Sequence, residues 1–368
     1  MKFTCYKTNL MRGVNTVLKA VPTKTTMKIL ECILIDCSTD IIKLTANDME
    51  LGIETTIDGS IIETGVIAID AKLLSEIVRK LPDNEVIIET NENYEVSIIC
   101  EKAKFNIGGK SGADFSYLPY IEKDMYVSLS EFSLKEVIRQ TIFSIADNNS
   151  DILMTGELFD IADGILKVVS LDGHRISLRK IELEDNKISQ KVVVPGKTLQ
   201  EVSKILTGET TKEVKLYFTS SHIVFEFENT VVVSRLIEGN YFQVSRMMSH
   251  DYKTKVTINK KELLSCIDRA ILLVKEGDKK PIIVNITDKK MELKIFSQIG
   301  RLDEEILIKK EGDDLMIGFN PKLLLDALRV IDEEEISIYL LNSKAPCFIK
   351  DDKDTYTYLI LPVNFAVS

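Results

Sequence analysis

The sequence predicts an α+β protein of three repeated, domain-sized units, each with two helices on antiparallel sheets. Three observations predict it. A strand-then-helix pattern recurs every 125 residues: VIAIDAKLLSEIVRK at 66–80, KVVVPGKTLQEVSKI at 191–205 and MIGFNPKLLLDALRV at 316–330. A second helical stripe recurs upstream, with offsets of 124 and 129 residues. Between the helices, apolar and polar residues alternate and turn signals intervene, as in half-buried antiparallel strands. A period this long marks domains, not a solenoid.

The upstream helix opens each unit. Its stripes are Leu10, Val14, Val17, Leu18 and Val21; Leu134, Ile138, Thr141, Ile142 and Ile145; and Leu263, Ile267, Ala270, Ile271 and Val274. That spacing puts each set on one buried helix face. Strands follow, as in IIKLTANDMELGIETTI (41–57), HIVFEFENTVVVSRL (222–236) and MELKIFSQIGRLDEEILI (291–308). The second helix buries Leu74, Ile77 and Leu81, then Leu199, Val202 and Leu206, then Leu324, Ala327 and Ile331. Joints near YLPYIEKD and MMSHDYKT divide the chain into expected domains 1–121, 125–248 and 252–368.

Composition narrows the function. The start, MKFTCYKTNLMRGV, lacks the apolar core of a signal peptide, and no apolar run reaches the length of a membrane span. Cys5, Cys32, Cys37, Cys100, Cys266 and Cys347 form no C-x-x-C pair, so free thiols in a reducing cytoplasm are expected, with no metal and no cofactor.

The net charge of −10 argues against a nucleic-acid partner, but its distribution does not. The six helical segments together carry +9, leaving −19 for the remainder. On the second helix Lys72, Lys197 and Lys322 are equivalent, as are Arg79, Lys204 and Arg329, with Glu76, Glu201 and Asp326 between them. On one helix this reads as a solvated face with i, i+4 ion pairs. Three copies in register suggest a shared polyanion. Six helices packed side by side at about 10 Å enclose a hole of roughly 8–10 Å, whereas twelve leave roughly 28 Å. Only the second admits B-DNA, roughly 20 Å across, so the charge pattern points to a two-chain ring.

The stretch VVSLDGHRISLRK at 168–180 holds His174 beside Asp172 and Arg175. Asp-Gly between apolar runs predicts a type I′ hairpin. A turn aspartate is badly placed to orient the histidine, and no nucleophile elbow accompanies it. A structural turn and a binding site remain open, and catalytic residues are not expected. IGGKSGADF at 107–115 fails as a phosphate loop, because Lys104 stands where glycine is required, and reads as a glycine-rich loop. His222 in a strand and His250 in a joint read as structural or solvent-exposed.

Several segments carry a family resemblance: the MKFT start, KTTMKIL (24–30), ANDMEL (46–51), ADFSYLP (113–119), LDGHRIS (171–177) and YLILPV (358–363). Across essentially its whole length the chain resembles the bacterial DNA polymerase III beta subunits, the sliding clamps. The resemblance implies three clamp domains per chain and a six-domain ring formed as a head-to-tail homodimer. It implies a non-catalytic processivity factor that encircles duplex DNA, is opened by an ATP-driven clamp loader complex, and tethers the polymerase III alpha subunit and other polymerases and repair proteins through short peptide motifs. The implied peptide cleft comprises Met154, Leu171, Gly173, His174, Arg175, Ile176, Phe242, Arg246, Met247, Pro346, Leu359, Leu361, Pro362 and Val363. Implied DNA contacts are Lys24, Lys72 and Asn148, joined by the helix cations Arg79, Lys197, Lys204, Lys322 and Arg329. The implied dimer interface sets Phe105 and Ile107 against Leu272 and Leu273, one of these two leucines facing outward. The chain departs from the pattern at Asp151, where arginine is common, at Ile152 and Leu153, where some members carry tyrosines, and in a tail running past Pro362. The alternative reading is a protein-binding repeat scaffold that does not encircle DNA.

Overall fold

The computed structural model describes residues 1–116, 118–119, 121–147, 151–184, 188–248, 251–275, 280–351 and 353–365. Each repeat runs β-α-β-β-β-β-α-β-β-β, with extra short strands in the outer two. The first holds β1 (Lys2–Tyr6), α1 (Lys7–Val17), β2 (Cys32–Asp36), β3 (Ile42–Asn47), β4 (Leu51–Ile57), β5 (Ser60–Glu63), β6 (Val66–Asp70), α2 (Ala71–Lys80), β7 (Glu85–Thr90), β8 (Glu95–Cys100), β9 (Ala103–Gly108) and β10 (Lys110–Ser111). The second holds β11 (Tyr126–Ser130), α3 (Glu131–Thr141), β12 (Gly156–Ala162), β13 (Ile165–Leu171), β14 (Arg175–Glu182), β15 (Gln190–Pro195), α4 (Gly196–Ile205), β16 (Glu213–Phe218), β17 (His222–Phe227) and β18 (Thr230–Arg235). The third holds β19 (Thr254–Asn259), α5 (Lys260–Ile271), β20 (Ile282–Ile286), β21 (Lys290–Phe296), β22 (Arg301–Leu307), β23 (Lys309–Gly312), β24 (Leu315–Phe319), α6 (Pro321–Val330), β25 (Glu335–Leu340), β26 (Cys347–Lys350) and β27 (Tyr356–Ile360).

The strands do not stay within their repeats. One compact unit comprises residues 1–134 and 200–236, and the other comprises 135–199 and 237–368. In the first, β5-β1-β7-β8-β9 form a five-stranded sheet and β10-β6-β2-β3-β4-β18-β17-β16-β11 a nine-stranded one. The second unit holds β15-β12-β13-β14-β27-β26-β25-β19-β23 and the four-stranded β22-β21-β20-β24. Each nine-stranded sheet is thus two half-sheets from consecutive repeats, joined antiparallel at β4·β18 and at β14·β27.

The helix stripes are buried largely as their spacing predicts. Leu10, Val14 and Val17, then Leu134, Ile138 and Thr141, then Leu263, Ile267 and Ala270 are at most 3% exposed. The last two positions of each stripe are only half-buried, because the helix stops early. It tightens into a 3-10 turn at Leu18–Ala20 and Ile142–Ser144, and ends at Ile271 in the third copy. Start signals are local: Asp70, Asn259 and Asn320 accept backbone N–H bonds from the first turns of α2, α5 and α6.

Two expectations are corrected. IGGKSGADF is not an irregular loop: Lys110 and Ser111 pair with Ala68 and Ile67, and Ser111 caps a 3-10 turn at Gly112–Asp114. The hairpin at 172–174 is not type I′. Asp172 pairs backbone to backbone with Arg175, and positive φ occurs only at Gly173 (87°), the first central residue, as a type II′ turn requires. Asp172 flanks the turn and accepts the His174 and Arg175 N–H groups on Oδ1.

Candidate functional site

Within the second unit, alternate residues of β12 to β15 and β25 to β27 line up in rows across one sheet face. Leu171, Ile176, Leu359, Phe348 and Tyr339 are successive cross-strand partners, forming an apolar row beside the 172–174 hairpin. The segment 237–248 returns over this face. Tyr241 is buried and donates its hydroxyl to the Val169 carbonyl at 3.3 Å, and Phe242 stacks edge-on to it. Met154 and Phe242 pack half-buried against the same cluster, so they, Leu171, Ile176 and Leu359 converge as expected. Met247 is half-exposed and Arg246 exposed at the rim, while Pro346 is half-buried just before β26.

The hairpin itself is exposed at Gly173 and His174. Arg175 is not: its side chain is 10% exposed and held on three sides. Its Nε donates to Asp172 Oδ2 at 2.9 Å, its Nη1 to Asp326 Oδ2 on α6 at 2.7 Å, and its guanidinium lies 5.3 Å from the Phe143 ring centre. Asp326 therefore serves the hairpin and not the i, i+4 pair expected on its own helix. The tail continues the site: Leu361 N–H donates to the His174 carbonyl at 2.9 Å, and Val363 N–H to Gly318 at 2.8 Å, with Phe365 lying against that glycine. Leu361 is exposed, Pro362 and Val363 half-buried.

One buried group was not singled out by the sequence. Glu157 on β12 is 0% exposed, and neither carboxyl oxygen has a hydrogen-bond partner among the described residues. Burial pushes its carboxyl up to about 8. Register exposes the anomaly: Glu157 faces Val194 just before α4, where the other repeats set Ile33 against Ile69 and Ile282 against Phe319.

Of the cationic positions, Lys24, Lys72, Arg79, Lys197, Lys204, Lys322 and Arg329 are all exposed. Lys204 pairs with Glu201 and Arg329 with Asp268 on α5, whereas Lys24, Lys72, Arg79 and Lys322 carry no ion pair among the described residues. Asn148 and His250 lie outside the described residues. His222 is half-buried, with Nδ1 2.9 Å from the Ser221 hydroxyl, and burial lowers its pKa. Ile152 is 63% exposed, and Asp151 accepts the Leu153 N–H. All six cysteines are buried and unbridged. Among the described residues, no His, Cys, Asp and Glu cluster could hold a metal ion, and no helix is long and apolar enough to cross a membrane.

The threefold pattern has a counterpart among known proteins. Residues 1–119, 128–243 and 245–364 match, in turn, the N-terminal, central and C-terminal domains of the DNA polymerase III beta subunit. The chain belongs to that family. The beta sliding clamp of Staphylococcus epidermidis strain RP62A is 34% identical over 99% of both chains, and that of Staphylococcus aureus strain Mu50 is 33% identical over 99% of both. Among solved structures, a putative DNA polymerase III beta subunit from Eubacterium rectale ATCC 33656 is 67% identical, with a TM-score of 0.97 over 99% of this chain and 100% of that one. The DNA polymerase sliding clamp from Bacillus subtilis is 35% identical, with a TM-score of 0.96 over 100% of both chains. As a family member the chain is a sliding clamp, a processivity subunit and not an enzyme.

In this clamp, each of the four sheets ends in strands that pair with only one other strand among the described residues. β9 closes the five-stranded sheet and β22 the four-stranded one. Phe105 and Ile107 sit on β9 opposite buried Ile98 and Val96, yet Phe105 is 38% exposed because nothing among the described residues covers the edge. Leu272 is 77% exposed, while Leu273 packs on the core, so the outward member of that pair is Leu272.

Proposed function

We propose that two copies of this clamp close head to tail into a ring around duplex DNA, with the cationic faces of the helices toward the phosphates. In this reading, partner proteins dock short peptides on the apolar row beside the 172–174 hairpin. The observation that carries the ring is the repeat's own joint. Half-sheets of successive repeats join at β4·β18 and β14·β27. By position in the repeat, β22 is the counterpart of β4 and β14, and β9 the counterpart of β18 and β27. Pairing β22 of one chain with β9 of the next would use the same antiparallel joint a third time. Transferring the β4·β18 register sets Leu302 opposite Phe105 and Asp303 opposite Lys104, an apolar and an ionic match. Long open edges invite such pairing.

The domains proposed are 1–121, 125–248 and 252–368, and the place of action is the cytoplasm. Lys24, Lys72, Lys197 and Lys322 with their helix neighbours would contact phosphates, and Asn148 is retained as a DNA contact. Partners of this reading are an ATP-driven clamp loader, the polymerase alpha subunit, and other polymerases and repair proteins. Mass measurement in solution should give about 83 kDa, twice the chain's 41.6 kDa. Clamp loaded on nicked circular DNA should be retained and should be lost when the circle is cut. Equal loss from both forms would reject encirclement. Charge reversal at Lys24, Lys72 and Lys197 should cut loading, most at low salt and less as salt rises; unchanged function would favour the scaffold reading.

A further inference from the structure

We infer that the peptide groove continues from its apolar row into a lysine-lined end that takes acidic residues flanking the partner's apolar anchor. This rests on the peptide-docking reading above and extends it to a part of the sheet that, of the cleft residues, only Phe242 borders. The argument is the register of one sheet face. Beside the hairpin, the row Leu171, Ile176, Leu359 and Phe348 is wholly apolar. Two residues along each strand, the next row is mixed: Leu158, Val169 and Leu178 continue into Thr357 and Lys350. Two residues further, the row is charged: Lys191 pairs across to Asp160, Asp160 to Lys167, and Lys167 to Lys180.

Between the last two rows and the returning segment 242–248 lies a cavity of about 370 Å³. Lys167, Lys180, Lys191 and Lys350 line it together with only two carboxylates, Asp160 and Asp354. Lys180 is committed, donating to Asp354 Oδ2 at 2.8 Å. Lys167 and Lys191 flank the single Asp160 and have no ion pair among the described residues. The site thus has a positive surplus above an apolar floor. Phe242 and Val244 form one wall of it and also belong to the apolar cluster of the cleft, so the cavity borders the cleft directly. A carboxylate-bearing peptide anchored in the cleft matches both the charge and the adjacency. The first and third rows are about 13 Å apart at about 3.3 Å per residue, so an extended peptide would place its acidic residues about four positions from its anchor.

Fluorescence polarisation on the full-length protein tests this. The probes are dye-labelled twelve-residue peptides with a Leu-Phe pair and, about four residues to either side in turn, three aspartates or three asparagines. The better aspartate peptide should bind about three- to tenfold more tightly than its asparagine version. That advantage should vanish in the double variant Lys167→Glu/Lys191→Glu and at high salt, while the asparagine peptide binds both proteins alike. Equal binding of both peptides to the unaltered protein would overturn the lysine extension and leave the apolar cleft standing. Failure of every peptide would overturn both. An oligothymidylate that binds the unaltered protein and is lost in the double variant would assign the lysines to phosphate and overturn the acidic-peptide reading.

Discussion

Two hairpins of the same repeat position end differently. At 48–51 and at 172–175, an aspartate N–H bonds the carbonyl three residues on, and its carboxylate accepts the N–H groups of the second and third following residues. The residue after the aspartate has positive φ in both, Met49 at 77° and Gly173 at 87°. Beyond the turn they diverge. Leu51 is buried in its own sheet, and Gly52 is so closely covered by Leu118 that a β-carbon there would lie 2.0 Å from the leucine Cδ2. At the other hairpin Arg175 turns to Asp326, and Ile176 joins an apolar row bordered by half-buried Met154 and Phe242. The same turn is covered by the joint residue Leu118 in one copy and bordered by half-buried apolar side chains in the other. The repeat keeps the turn geometry, and a few side chains make the two copies differ; under the proposed peptide-docking reading, only the second would bind.

Breaking Arg175 should have the largest effect. Arg175→Ala strands Asp172 and Asp326 in a largely buried place and should cost about 2–3 kcal/mol in urea denaturation, with peptide affinity falling more than tenfold. Leu51→Ala should destabilise comparably through its cavity yet leave peptide affinity intact. If both variants lost peptide equally, the two hairpins would not differ in role. Next comes Glu157, the carboxyl where the other repeats have isoleucine. Its folded value of about 8 lies above the unfolded one of 4.5. Its contribution is therefore greatest below pH 4.5 and is lost as pH rises through about 8. Glu157→Ile should flatten the stability profile across that window and add on the order of 2 kcal/mol at pH 8; an unchanged slope would acquit the residue. The smallest effects concern the turns. A β-carbon on Gly173 would meet nothing within 4 Å, so Gly173→Ala should cost only backbone strain, about 1 kcal/mol. Met49→Gly should be neutral or stabilising by less than about 1 kcal/mol in thermal melts, because it relieves the strain the first change imposes.

What the sequence made legible was what is encoded locally. Helix stripes such as Leu74, Ile77 and Leu81 repeat at a fixed offset, and burial follows from period alone. The convergence of Met154, Leu171, Ile176, Phe242 and Leu359 came from family resemblance, because no local rule brings residues 154 and 359 together. The hairpin type was misread because Asp-Gly was counted as the turn centre. Met49 shows that the aspartate side chain organises this turn even where no glycine follows. Glu157 escaped because a lone glutamate in GELFDIA reads as a solvent-facing strand residue until register sets it beside Ile33 and Ile282. The strand joins between repeats were invisible, since paired residues of β4 and β18 lie more than 170 positions apart and edge pairing leaves no short-range trace.

The shared half-sheets also carry a consequence for a single repeat. A gene encoding one repeat would yield a product whose counterparts of β4 and β18 lack the partners they have in this chain. Such open edges invite pairing with a second copy. Joining three such units in one chain makes two of these joints intramolecular, and under the proposed ring the third would form between chains.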